Sequence, residues 1–250
     1  MGNSDKPYRN YGARARLGLI VPPTNTVNEA EWQRMLPEGV TLHSARMPLH
    51  ADTTSPEGKR TLHENIRRHA GDLAKASPDV IAYGCTAGSM VTPITSLTDF
   101  MREVTGIPSV ATAPSLVLAA RAFGATRVSV ATPYHDALNE HERHFLAECG
   151  IDVAAMAGLG IGAGGPQEYV RIARVPAADV YAHVRTVDRA EAQMIIVSCT
   201  DFATLEILPR LERELGKPVV SSNLATFWQA LRTAGFGDRI EGFGRLLQEH

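Results

Sequence analysis

The sequence predicts an α/β protein of two similar halves, each a parallel sheet flanked by helices, related by a pseudo-twofold axis with an active site between them. Three observations predict it. Sequence blocks recur in the same order at a nearly constant offset. Continuously apolar runs alternate with helical patterns. A cysteine followed by threonine closes the matching run in each copy.

The first pair of blocks is Arg16-Leu-Gly-Leu-Ile-Val-Pro22 and Arg127-Val-Ser-Val-Ala-Thr-Pro133. Each is followed by a helical start containing Asn-Glu, at Asn28-Glu29 and Asn139-Glu140, so the offset is 111 residues. A short apolar run, then Pro, then a helical pattern reads as buried strand, loop and helix. The second pair is Asp79-Val-Ile-Ala-Tyr-Gly-Cys85-Thr86 and Met194-Ile-Ile-Val-Ser-Cys199-Thr200, at an offset of 114. The third is Gly106-Ile-Pro108-Ser-Val110 and Gly216-Lys-Pro218-Val-Val220, at an offset of 110. A shared strand–loop–helix rhythm alone does not explain identities at Pro, Asn-Glu and Cys-Thr.

Helices fill the gaps. Leu62, Ile66, Ala70 and Leu73 recur at helical spacing, as do Leu208, Leu211 and Leu215. Strands apolar on both faces, alternating with helices, build parallel sheets covered on both sides. Ligands of such sheets bind beyond the carboxyl ends of the strands, where both Cys-Thr pairs lie. The expected division is a loose tail over 1–15, a first half over 16–120 joined by 233–250, and a second half over 121–232.

Composition narrows the function. The 250 residues carry 44% hydrophobic and 21% charged residues, with a formal net charge of -2 and no long charged run, so neither nucleic acid nor an anionic membrane is an expected partner. No apolar stretch approaches the roughly 20 residues of a membrane helix. Residues 1–16 lack an apolar signal core, and a cytoplasmic location is expected. Three cysteines do not form a disulfide framework.

Cys85 and Cys199 are the candidate catalytic residues. A thiol between a strand end and a helix start sees backbone N–H donors that lower its pKa. Such a thiol can act as base or nucleophile. Two of them facing across a dyad could remove and return a proton on one carbon, or add to a double bond while the other delivers a proton. Cys149, near a helix end with no repeat counterpart, reads as a packing residue.

These residues resemble the aspartate/glutamate racemase superfamily, and within it the maleate cis-trans isomerase and arylmalonate decarboxylase branch. Gly18-Leu-Ile-Val-Pro-Pro-Thr-Asn25-Thr is similar to the isomerases' opening strand and Asn loop. His43-Ser-Ala-Arg46-Met47-Pro-Leu-His50 and Ser55-Pro56-Glu57-Gly58 look like its continuation. Ala131-Thr-Pro133-Tyr134 matches the loop carrying the family's active-site Tyr. Val219-Val-Ser-Ser, Phe227-Trp228 and Gly244-Arg245-Leu246-Leu247 resemble the C-terminal end of both groups.

The resemblance implies that Cys85 is the nucleophile and Cys199 the acid/base thiol. The decarboxylases carry glycine at the Cys85 position, so Cys85 favours isomerisation or racemisation. Asn25, Thr86, Tyr134 and Thr200, with Thr24 and Pro22 of the first loop, match groups that surround carboxylate or enolate oxygens. The expected protein is a cofactor-independent isomerase of a small carboxylic acid, of the maleate type, with no metal site. A racemase, an arylmalonate-type decarboxylase and a non-enzymatic small-acid-binding protein are the alternatives, and the likeness leaves a homodimer open. Two departures stand out. The segment 164–171 lacks the isomerases' Asn, and Asp201 follows Cys199-Thr200 where a carboxylate would repel a dianion unless it points away.

Other signals are set aside. Gly160-Ile-Gly162-Ala-Gly-Gly165 has dinucleotide-type spacing, but Pro166 follows and no clear strand leads into it, so a mobile glycine loop near the cleft is expected. His135, His141 and His144 read as solvated surface groups among Glu140, Glu142 and Arg143. Trp32 and Trp228 read as core or interface. Specificity is expected from loops around Thr53–Ser55, Ala87–Met90 and Gly158–Arg171.

Overall fold

The computed structural model describes residues 9–50 and 55–250. The expected tail falls largely on residues 1–8, which lie outside the described residues, as do Thr53 and Thr54 of one expected specificity loop. In the first half, β1 (Ala15–Val21), β2 (Val40–Arg46), β3 (Val80–Tyr83) and β4 (Ser109–Ala111) form a parallel sheet of order β2-β1-β3-β4. In the second, β5 (Arg127–Tyr134), β6 (Asp152–Ile161), β7 (Met194–Val197) and β8 (Val219–Ser221) form a parallel sheet of order β6-β5-β7-β8. The two orders are the same. So is the register: Leu17 lies opposite Val80, and their repeat counterparts Val128 and Met194 lie opposite one another. The expected two-halved α/β architecture is the observed one.

Helices cover the sheets: α1 (Asn28–Met35), α2 (Pro56–Ala74), α3 (Thr86–Ser89), α4 (Ser96–Thr105), α5 (Thr112–Ala122), α6 (Asp136–Glu148), α7 (Ala177–Thr186), α8 (Leu208–Leu215), α9 (Ser222–Thr233) and α10 (Arg245–Glu249). A 3₁₀ segment, Pro166–Arg174, precedes α7. The Ser55 side chain caps α2 by accepting from the Gly58 N–H at 3.0 Å. The predicted stripe Leu62, Ile66, Ala70 and Leu73 is its buried face. Central strands β3 and β7 are buried along their whole length, which is why their sequences are unbroken apolar runs. The C-terminal segment lies against both halves: Arg245 N–H donates to Glu212, while Asp238 pairs with Arg14.

Two local expectations are corrected. A strand does lead into the glycine-rich stretch, because Gly158, Leu159 and Gly160 continue β6 rather than forming a loop. Gly158 permits this close pairing, since a Cβ there would fall 2.1 Å from the Tyr134 carbonyl oxygen. The helix expected directly after Cys199-Thr200 is also missing, and α8 begins only at Leu208. Cys199 has φ of 91°, a left-handed backbone that cannot open a right-handed helix. Trp32 is fully buried, as expected for core. Cys149 is a partly buried packing residue at the end of α6, and His144 is exposed beside Glu140.

The halves meet where α5 packs on α9, with α9 reaching β4 and β3 and α5 reaching β8. Polar groups latch this seam. Glu31 on α1 is buried and accepts from Thr204 N–H (2.6 Å), Leu205 N–H (2.8 Å) and the Asn223 amide (2.6 Å) of the other half. Burial still holds its pKa above that of an ordinary carboxyl, the three donors only partly offsetting it. Asp201 reciprocates, accepting from Thr26 N–H at 2.9 Å ahead of α1. Trp32 Nε1 donates to the Asn223 carbonyl and its ring meets Phe227 edge-on. Glu31→Ala leaves three buried donors unpaired, so it should cost on the order of 3 kcal/mol or more, read by urea unfolding.

Glu142 occupies the repeat position of Glu31 but stays within its own half. It accepts from the Ser198 hydroxyl, its Oε2 has no partner among the described residues, and burial pushes its pKa up to about 7. Ionising it in the fold is therefore costly. Its contribution to stability is present below about pH 4.5 and is lost as pH rises through about 7. Relative to Glu142→Gln, the native protein should lose about 3 kcal/mol of stability between pH 4.5 and 8. Parallel unfolding curves of the two proteins at both pH values test this, and a constant gap would refute it.

Candidate active site

Both predicted thiols stand two residues beyond the ends of the matching central strands β3 and β7, and both line one cleft at the seam. Cys85 has an extended backbone and caps α3, its Sγ accepting from Gly88 N–H at 3.4 Å. Cys199 is held by its left-handed backbone and by its own N–H donating to Ser222 Oγ at 3.1 Å. A non-glycine residue in that region is strained, and such strain gathers at functional sites.

The other predicted site residues converge on the same cleft. Pro22, Thr24, Asn25, Thr86, Tyr134 and Thr200 all line it. Their hydrogen bonds refine what each can offer. Thr200 Oγ donates to the Gly84 carbonyl and accepts from Asn25 Nδ2, both at 3.0 Å. The Thr86 hydroxyl is bonded to Ser222 Oγ at 2.9 Å. Both hydroxyls thus brace the seam. Asn25 Oδ1 is taken by the N–H groups of Val27 and Asn28, which leaves its second amide N–H for the cleft. The N–H groups of Thr86 and Ala87 open α3 and have no partner within it.

The acidities differ from the expectation that helix starts would make the thiols acidic. Burial pushes the Cys199 thiol up to about 12, outweighing help from the Asp201 N–H and the Tyr134 hydroxyl. Burial also raises Cys85, against the Gly88 N–H and the Tyr83 hydroxyl. Tyr134 is buried and held protonated far above its ordinary value, so it is a permanent donor beside Cys199. Asp201 is less hostile than its sequence position suggested. Its Oδ1 faces the start of α1, its Oδ2 is sealed from solvent, and burial pushes its pKa up to about 6.

Among the described residues no Lys or Arg lines the cleft, and its walls are mainly Val21, Met47, Pro48, Leu49, Leu138 and Ile172. The free interior is about 90 Å³, below the roughly 300–1,000 Å³ of drug-sized sites, which suits a small ligand. Sequence reasoning missed Tyr83, Met47, His50 and Ser222. Tyr83 was findable, because two-residue alternation along an extended chain puts it on the side of Cys85. The segment that lacks the isomerases' Asn supplies Tyr169 to the cleft, and Ile172 follows just after it.

Comparisons with known proteins agree with this geometry. The arylmalonate decarboxylase family model matches residues 17–247. The chain is 34% identical to the arylmalonate decarboxylase of Bordetella bronchiseptica, over 93% of this chain and 96% of that one. It is 29% identical to the maleate isomerase of Nocardia farcinica, over 94% and 96%. A solved structure of a Nocardia farcinica maleate cis-trans isomerase mutant, with a covalently bound succinylcysteine intermediate, superposes with a TM-score of 0.84 at 27% identity, covering 94% of this chain and 99% of that one. The family model and the 34% identity show that this chain belongs to the arylmalonate decarboxylase family, and its relatives make it an enzyme of the maleate isomerase and arylmalonate decarboxylase branch.

Proposed function

We propose that the protein isomerises a small cis-unsaturated dicarboxylic acid of the maleate type, without a cofactor, through a thioether adduct on Cys85. The observation that carries this reading is the pairing of two thiols of unequal environment in one small cleft. Cys199, buried and pushed up to about 12, stays S–H at neutral pH and serves as the acid. Cys85, the partly exposed thiol at the start of α3, is the nucleophile.

In this reaction the Cys85 thiolate adds to one alkene carbon and a C–S bond forms. The π pair moves to the neighbouring carbon and its carboxylate, giving an enediolate. That carbon takes the Cys199 proton, leaving a succinyl thioether, the species seen in the Nocardia farcinica relative. The former double bond is now single and rotates. The Cys199 thiolate removes the proton, the C–S bond breaks, and the trans acid leaves with both thiols restored to their starting states. The enediolate charge falls to neutral donors: Tyr134, the free N–H of Asn25 and the backbone N–H groups of Thr86 and Ala87. Preorganised donors in a water-poor cleft stabilise such charge strongly.

One observation favours a second reading. The apolar cleft walls, with Tyr169 in the segment that lacks the isomerases' Asn, suit decarboxylation of a substituted malonate, which needs only Cys199. The small interior weighs against a large aryl group.

Proton NMR in D₂O with maleate, aspartate and phenylmalonate separates these. Maleate should become fumarate, and Cys85→Ala and Cys199→Ala should each lower kcat at least about a thousandfold. Loss of carbon dioxide from phenylmalonate that survives Cys85→Ala but not Cys199→Ala would replace isomerisation with decarboxylation. Deuterium entering the α-carbon of aspartate would make the protein a racemase. The acidities add a substrate-free prediction: iodoacetamide at pH 8 should alkylate Cys85 well before Cys199, as read by peptide mass spectrometry.

A further inference from the structure

Each cleft thiol has a tyrosine beside it, and only Tyr134 of the two was visible as a motif. The other is Tyr83, the last residue of β3. Gly84 separates it from Cys85, whose φ of -144° and ψ of 116° keep the chain extended, so both side chains leave the same face. Tyr83 belongs to, and Cys85 packs against, the hydrophobic cluster that includes Ile20, Met47, Leu97 and Ala111 with residues of α2 and α4. Tyr83 is only 4% exposed, and it lines the cleft.

The tip of its ring converges with Cys85 on α3. A Cβ added at Gly88 would lie 2.5 Å from the Tyr83 hydroxyl oxygen and 3.3 Å from Cys85 Sγ. The Gly88 N–H itself donates to that sulfur at 3.4 Å. The hydroxyl therefore occupies the space a side chain at 88 would need. The Gly88 backbone is ordinary helix, so glycine is required there for room. Burial keeps the Tyr83 hydroxyl protonated far above its ordinary value, so it is always available as a donor.

We propose that Tyr83 is the positioning residue of the Cys85 nucleophile: its hydroxyl donates to the Sγ thiolate, joining the Gly88 N–H in a two-donor cradle for which Gly88 leaves the room. The cradle fixes the direction of the sulfur lone pairs toward the cleft and stabilises the charge before attack. Charge-assisted donors of this kind are the strong ones. Cys199 has the analogous pair in Tyr134 and the Asp201 N–H, so the two copies of the repeat arrived at one hydroxyl and one backbone N–H per sulfur from different elements. The inference rests on reading Cys85 as the nucleophile, but its test needs no substrate.

Iodoacetamide labelling of the full chain is followed against pH by peptide mass spectrometry, in the native protein, Tyr83→Phe and Gly88→Ala. Cys149 and Cys199 report in the same samples. Tyr83→Phe should move the Cys85 profile up by about one pH unit and slow its labelling about tenfold near neutral pH, with the other two thiols unchanged. Gly88→Ala keeps the N–H but expels the hydroxyl, and should shift Cys85 in the same direction. It carries the test if Tyr83→Phe does not fold. A native Cys85 profile in folded variants overturns the proposal. So does a change shared by all three thiols, which would mean a loosened core. Failure to convert maleate would sink the reaction proposed above and leave this result untouched.

Discussion

The hydrogen bonds that cross the seam between the halves are the constraint on which the site depends. Neither half contains the cleft; it exists only where two strand ends face each other. Glu31 ties α1 to Thr204, Leu205 and Asn223. Asn25, Thr200 and the Gly84 carbonyl form a second chain across the seam. A third runs from Thr86 through Ser222 to the N–H of Cys199, linking the residue after one thiol to the backbone of the other. In a low-dielectric interior such bonds are strong when complete and costly when broken. A small slip of one half would break several at once, and the relative placement of the thiols is correspondingly narrow.

Within this frame the repeat has diverged where chemistry demands it. Glu31 and Glu142 are counterparts, yet one latches the seam and the other bonds Ser198 beneath the Cys199 loop. Asn139 is bonded to Thr132 and Tyr134, whereas the side chain of its counterpart Asn28 has no partner among the described residues. Cys85 caps a helical turn, while Cys199 sits in a left-handed backbone. Identical strand orders thus deliver two sulfurs to one place in unlike surroundings. Unlike surroundings are what an acid and a nucleophile of the same residue type require.

The fold was legible because its signals are local. Apolar runs such as Val80–Tyr83 and Met194–Val197 carry the buried parallel strands, and the constant offset carries the register, since Leu17 and Val128 meet counterparts as the repeat implies. The two thiols and Tyr134 were legible by repeat and resemblance. What the chain did not disclose depends on distances between halves. Nothing in Thr86 or Thr200 announces that its hydroxyl is taken by the opposite half. Nothing in Asp201 says that its carboxylate turns toward α1. The acidities failed because burial is set by tertiary packing. A helix start beside Cys85 is visible in sequence, but the burial that outweighs it comes from a cluster assembled from distant parts of the first half, Ile20, Met47, Leu97 and Ala111 among them.

That burial suits the proposed chemistry. A carbanion beside a carboxylate is a far stronger base than a thiolate, so even a thiol raised to about 12 gives up its proton to it readily. The return step is the demanding one, because a proton must leave carbon. A thiolate whose pKa is high is the stronger base for that step, and catalytic efficiency follows such matching of acidities. An acidic Cys199 would ease the first transfer, which needs no help, and hinder the second. A cleft lined by no lysine or arginine among the described residues suits the same proposed step, because a cation at the sulfur would lower the pKa of the thiol and weaken its thiolate as a base. Neutral donors at Tyr134, Asn25 and the α3 backbone can stabilise the transient charge on oxygen and leave the sulfur a strong base.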